Sequence, residues 1–166
     1  LGTEREGNGI VIDRQGHILT IGYLIPEASR IEITTGNGRK VAAQYVGYDH
    51  ASGFGLLRAV PPLDVTPLAL GASAAIKVAD AVRIVTAGEA AQGPARVLSR
   101  DAFVGYWEYL LEDSLYVAPA HPDYGGAALV DDNGRLIGVG SILTRFHVAS
   151  AGMIPCNMFV PIDLLK

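Results

Sequence analysis

An all-β fold, a barrel or a sandwich, is predicted by three features of this sequence. Short β-branched runs recur along the whole chain, and Gly, Pro or Asn separates them. No amphipathic helix of useful length interrupts them.

In chain order, Gly9-Ile10-Val11-Ile12-Asp13 leads through Arg14-Gln15-Gly16 into His17-Ile18-Leu19-Thr20, a hairpin. Ile31-Glu32-Ile33-Thr34 reaches Gly36-Asn37-Gly38 and continues from Lys40 to Tyr48 as a second hairpin. Pro61-Pro62 through Ala74-Ala75 is rich in Pro and Ala and poor in charge, with strand cues of similar density on both sides. Two β halves joined by a connecting segment follow, although no repeat is visible in the residues themselves. Pro122-Asp123-Tyr124-Gly125-Gly126 then enters Ala127–Asp131, and Asp132-Asn133-Gly134 reverses the chain into Arg135–Gly140. Asn-Gly supplies positive φ at both centres of a type I′ turn, so a third hairpin is expected there. The closing stretch from Val160 to Lys166 can begin a helix at its end.

The 166 residues suffice for one compact body or two small halves, and 49% apolar against 18% charged residues favours a sizeable core over disorder. Net charge is −4, from 13 basic and 17 acidic residues, and no basic stripe appears, which argues against a nucleic-acid partner. No apolar stretch approaches the roughly 18 residues that span a bilayer. The chain starts at Leu1 and reads as an excised or processed segment. One cysteine, Cys156, leaves no partner for an internal disulfide and no CxxC metal motif; no cofactor is expected.

Several stretches, taken together, resemble one family. Gly7-Asn8-Gly9-Ile10-Val11-Ile12 with Gly16-His17-Ile18-Leu19-Thr20 is similar to the opening of trypsin-like proteases of the HtrA (DegP-like) branch. Val46 to Leu57 resembles that family's Gly-x-Asp-x-x-Ser-Asp-[Ile/Leu]-Ala-Leu-Leu segment, and Pro67–Gly71 with Val78–Val82 its linker and second-barrel start. Gly125–Val130 with Asn133–Gly138 resembles the strand pair after its nucleophile, and Phe159–Leu164 the end of its protease domain. The pieces occur in the right order over nearly the whole chain. The resemblance implies a trypsin-like double six-stranded β-barrel, with an N-terminal barrel over 1–65, a linker over 66–75 and a C-terminal barrel over 76–166. It also implies a periplasmic or otherwise extracytoplasmic setting, and a peptide-binding PDZ domain beyond the C-terminus in many members.

The family's chemistry needs a serine to attack, a histidine to take its proton and an aspartate to orient the imidazole. By the same resemblance those positions hold Tyr124, Tyr23 and Gly53 here. The glycine that donates its backbone N–H to the developing oxyanion corresponds to Pro122, which has none to give, and Asp123 completes that altered loop. Losing one such donor costs on the order of a hundredfold or more in rate. A phenol titrates near 10 when unperturbed, and the residue at the base position is itself a tyrosine. The expectation is a catalytically inactive homologue, a pseudoprotease acting as scaffold, regulator or peptide-binding module.

Alternative roles stay open. Tyr23 and Tyr124 can be aromatic fillers between barrels rather than parts of a ligand site, and Gly53 can merely make room for Phe54. His50 and His121 flank the old catalytic positions and are weak candidates for a metal site, against the reading that they are ordinary loop histidines. Asp49 matches a family turn residue, and Cys156 reads as a buried core thiol rather than a nucleophile. His17, His147, Ser141 and Ser150 carry no flanking signature. Gly140, Ser141 and Ile142 lie on the segment beside which the family's substrates add a strand, so peptide capture without a triad is expected there, the ordinary alternative being a plain barrel strand. A hydrolase using other residues is the competing function.

Overall fold

A computed structural model describes residues 7–21, 31–35, 38–49, 51–63, 65–86, 94–104, 110–149 and 152–165. Eleven strands, all in antiparallel pairs, carry the described fold. The first half contains β1 (Ile10–Val11), β2 (His17–Ile21), β3 (Ile31–Thr34), β4 (Lys40–Tyr48) and β5 (Phe54–Val60), in sheet order β1-β2-β5-β4-β3. The second half contains β6 (Ala81–Val85), β7 (Pro94–Val104), β8 (Leu110–Ala118), β9 (Ala128–Val130), β10 (Leu136–Val148) and β11 (Gly152–Pro161). These six close into a barrel in the order β10-β11-β8-β7-β6-β9. The all-β double-barrel class is as expected, with one difference: among the described residues the first half is a curved five-stranded sheet rather than a closed six-stranded barrel.

All three expected hairpins form, and the third differs in its turn. Gly134 has φ +74°, but Asn133 keeps a negative φ, so this is not a type I′ reversal. Asp131 decides the geometry: its Oδ1 accepts the N–H groups of Asn133 (2.9 Å) and Arg135 (3.0 Å). That capping favours right-handed torsions at the two turn centres and leaves only Gly134 in the left-handed region, a type I turn with a glycine bulge. The β1–β2 hairpin repeats the device. There, Asp13 Oδ1 accepts from Gln15 (3.0 Å) and His17 (3.1 Å), with Gly16 at φ +99°.

Strand alternation divides the core into three layers. Ile18, Val41, Leu57 and Ala59 fill the first half, and Val97, Leu115, Val117, Leu129, Ile137 and Phe159 fill the closed barrel. Between the halves lies a shared layer, in which Ile10, Leu19, Ile21 and Phe54 meet Leu136, Val139, Met158 and Val160. Successive residues of β11 therefore serve different layers: Met158 and Val160 face the other half, and Phe159 faces the barrel interior.

The connection between halves is pinned along its length. Leu68 N–H donates to Val11 O (2.9 Å), and Gly71 N–H and Leu136 N–H donate to Leu136 O and Ala69 O (2.7 and 2.8 Å). The Asp163 carboxylate accepts from Ser73 N–H (3.2 Å) and Ala74 N–H (2.9 Å), in the short 3-10 turn Ser73–Ala75. Arg100 pairs with Asp113 and donates to Ser73 O and Ile76 O. Among the described residues, no helix is long and apolar enough to cross a membrane.

Candidate active-site junction

The two halves are stitched together around Asn8, just before β1. Its N–H donates to Gly125 O (2.8 Å), its Nδ2 donates to Asp123 O (3.0 Å) and Gly125 O (3.2 Å), and its carbonyl accepts from Thr20 Oγ1 (2.7 Å). Asn8 and Thr20 are buried, so these bonds stand where water cannot substitute. The turn 122–127 thus threads between the first half and β10. Gly126 takes φ +74°, and a Cβ there would fall well inside contact with Asn8 O and Thr20 Oγ1. A Cβ on Gly140 would collide in the same way with Tyr124 O. Gly126 and Gly140 are required by this backbone approach whether or not any chemistry takes place beside them.

Tyr124 occupies the middle of that turn, half-buried, with its carbonyl accepting from Ala127 N–H (3.0 Å). Pro122 and Asp123 are exposed, and Asp123 N–H points inward to His121 Nδ1 (3.0 Å). Gly53 lies on the other side, directly before Phe54, which pairs with Ile21 at the end of β2. It is buried with φ +85°, a torsion that costs a side-chain-bearing residue roughly 1–2 kcal/mol. Gly53 N–H donates to Asp49 O (2.7 Å), while Asp49 Oδ2 accepts from Ser52 Oγ (2.6 Å) and Oδ1 from Ala51 N–H (3.2 Å). Asp49 is accordingly a turn residue. Tyr23 and His50 lie outside the described residues.

Of the three histidines described, His17 pairs with Asp13 (2.6 Å) and His147 is exposed on β10. His121 is buried in the loop after β8, held by its own N–H donating to Asn157 Oδ1 (2.6 Å). Among the described residues, no group of three or more His, Cys, Asp or Glu comes together to hold a metal. Cys156 is wholly buried, and burial pushes its thiol pKa up, which suppresses the reactive thiolate.

Gly140 has both backbone groups engaged: its N–H donates to Ala127 O (2.8 Å) and its carbonyl accepts from Gly126 N–H (2.9 Å). Ser141, largely buried, sits at a bulge where the β10–β11 register shifts between Gly140 and Ile142. Ile142 packs against the shared layer, and Leu143 is 51% exposed. Past Gly140, no described strand pairs with β10 on the β9 side. Two residues that organise this junction, Asn8 and Asn157, escaped the sequence reading. The signal for Asn157 is a lone amide inside the apolar run Cys156-Asn157-Met158-Phe159-Val160.

A closed six-stranded barrel joined to a second β half, with the turn 122–127 at the seam, defines a trypsin-like double-barrel domain. The sequence profile described as a trypsin-like peptidase domain matches residues 7–139, and the chain belongs to that family. Its relatives fall in the HtrA branch. The chain is 29% identical to the periplasmic serine endoprotease DegP of Salmonella typhimurium, covering 96% of this chain and 34% of that protein. It is 27% identical to a serine protease HtrA-like protein of Staphylococcus epidermidis, covering 91% of this chain and 29% of the relative. Among solved structures, the HtrA-type protease AlgW with a decapeptide matches at a TM-score of 0.78 and 23% identity, covering 95% of this chain and 48% of that one. The chain therefore spans about a third of the length of these curated relatives.

Proposed function

We propose that this domain is a trypsin-like protease homologue that no longer cleaves peptide bonds and instead holds an extended peptide in the seam between its halves. The observation that carries the reading is the loop 121–126. Where the family has a serine it presents Tyr124; at the oxyanion position it presents Pro122, and the next N–H, of Asp123, is taken up by His121. An acyl transfer needs a nucleophile with a base in hydrogen-bond reach and donors aimed at the oxyanion. Among the described residues the His17 ring pairs with Asp13 and the His121 ring accepts from Asp123 N–H, neither facing a hydroxyl or thiol, which supports the same reading.

Binding needs less. An extended peptide added beside β10 draws on backbone N–H and C=O groups from Ser141 onward, since Gly140 is already committed to the loop. AlgW, solved with a decapeptide and with a tripeptide, is a structural neighbour of this chain and makes a peptide ligand a reasonable expectation. DegP and DegQ are named as periplasmic, and an extracytoplasmic setting is proposed on that likeness. A partner domain such as a PDZ module and a scaffold or regulatory role belong to the same proposal.

The test is amide hydrogen exchange in the presence of a reduced, carboxymethylated and therefore permanently unfolded protein, with intact-mass analysis of that protein afterwards. Slower exchange at Ser141–Leu143, with the added protein left whole, is expected. Unchanged exchange there, or accumulating fragments, overturns the proposal.

A further inference from the structure

The loop leaves two buried donors with nothing to donate to. His121 N–H faces Asn157 Oδ1 at 2.6 Å, and because a backbone N–H only donates, the amide orientation of Asn157 is determined: oxygen toward the loop, Nδ2 away from it. Asp123 N–H faces His121 Nδ1 at 3.0 Å, so that nitrogen carries the lone pair and the ring proton sits on Nε2. Both Asn157 Nδ2 and His121 Nε2 are buried without a hydrogen-bond partner among the described residues. His121 is 8% exposed and Asn157 0%. An unpaired buried donor costs about 1–3 kcal/mol, and native proteins tolerate few. Two such donors on residues joined through the His121 N–H to Asn157 Oδ1 bond are a departure from that rule.

Their place in the fold is informative. Asn157 is paired across β11 and β10 with Leu143 and shares the face of Phe159, so its side chain turns into the barrel interior, wholly buried, beside a Leu143 that is 51% exposed. Leu143 belongs to the stretch of β10, Ser141 onward, proposed above as the peptide-binding edge. His121 is three residues before Tyr124, at the root of the altered loop.

We infer that His121 Nε2–H and Asn157 Nδ2–H form a receptor for a side-chain oxygen, the carboxylate or carboxamide of an Asp, Glu, Asn or Gln residue in the bound peptide. This rests on the peptide-binding reading and names its selectivity. Both groups are neutral, purely donating on the free side, and fixed by bonds to the loop backbone, so they match an acceptor with two lone-pair-bearing oxygens or one shared carbonyl. They offer nothing to an ammonium or guanidinium group, and an apolar side chain would leave both unsatisfied.

The experiment uses acetate and acetamide as separate probes, with tert-butanol as the apolar control, and follows the imidazole nitrogens of His121 by NMR. Acetate or acetamide, or both, should move the Nε2 resonance saturably, and tert-butanol should not. Which of the two binds more tightly distinguishes a carboxylate from a carboxamide as the natural group. Asn157→Asp keeps an oxygen facing His121 N–H but replaces the free donor by an acceptor, and it should weaken probe binding by at least about tenfold. The unchanged amide resonance of His121 reports that the variant loop is intact, and Asn157→Gln serves as the second donor-retaining variant, which should keep part of the response. No shift with either acceptor probe, an equal response to tert-butanol, or an unweakened response in Asn157→Asp overturns the inference. A peptide that protects β10 while glutamate, glutamine and leucine versions bind alike would overturn it too and leave the peptide-binding reading standing. Saturable acetate binding without any peptide binding would do the reverse.

Discussion

Gly126 and Gly134 share one torsion, φ +74°, and differ in their surroundings. A Cβ on Gly134 meets nothing within 4 Å, whereas on Gly126 it overlaps the carbonyl of Asn8 and the hydroxyl of Thr20. Substituting each by alanine separates the two reasons for keeping glycine. Gly134→Ala should cost about 1 kcal/mol, the left-handed torsion alone. Gly126→Ala should cost about 3 kcal/mol or more, because a backbone oxygen cannot move aside without breaking the Asn8 bonds. Thermal melts read this directly, at about 2–4 °C per kcal/mol for a domain of this size; equal losses would mean that the approach to Asn8 is not what retains Gly126. Cys156 gives a second residue-scale prediction. Buried and with its thiol pushed up, it should react with a thiol-directed disulfide reagent at least about a hundredfold more slowly in the folded protein than in urea. Prompt labelling would show that the end of β11 opens readily.

At the scale of strands and turns, the Gly- and Asn-marked reversals were legible, because turn residues announce where a chain bends. The turn type at 131–135 was not, since Asn-Gly alone signals type I′ and the preceding aspartate overrides it by capping two N–H groups. Asp13 uses the same capping in the first hairpin. Burial raises the Asp13 pKa, but hydrogen bonds from the His17 backbone and ring and from Gln15 outweigh it, and the carboxyl ends below its ordinary value. A depressed carboxyl stabilises the fold above its unfolded pKa of about 4 and loses that contribution as pH falls through the folded value. Wild-type melting temperature should therefore drop more steeply below about pH 4 than that of Asp13→Asn. Parallel pH profiles would remove the hairpin cap from the stability account.

For the molecule as a whole, the all-β class followed from local pattern, and the double barrel from the family resemblance of short motifs taken in order. The proposed assignment of Pro122, Tyr124 and Gly53 to the family's catalytic positions rests on those same motifs. The His121–Asn157 pair was out of reach, because the two residues are 36 positions apart and meet only through the way the loop after β8 folds back onto β11. Asn8 was hidden likewise, as its partners Asp123 and Gly125 lie more than a hundred residues away. The seam between halves is what those distant contacts build, and it explains why glycines persist beside a turn with no serine. Restoring side chains alone should not restore function: Tyr23→His, Gly53→Asp and Tyr124→Ser together should give no measurable turnover of an unfolded substrate. Pro122 still lacks an N–H, Asp123 N–H still serves His121, and position 53 keeps a torsion suited to glycine. Robust cleavage by that triple variant would show that the loop rearranges into a working oxyanion hole.

The most direct measurement treats the unaltered domain with a serine-directed phosphonate probe and, in parallel, with an unfolded protein substrate, and weighs the products by intact mass. The account predicts a domain of unchanged mass and a substrate left whole. A covalent phosphonate adduct, or cleavage that persists through repurification, would contradict it.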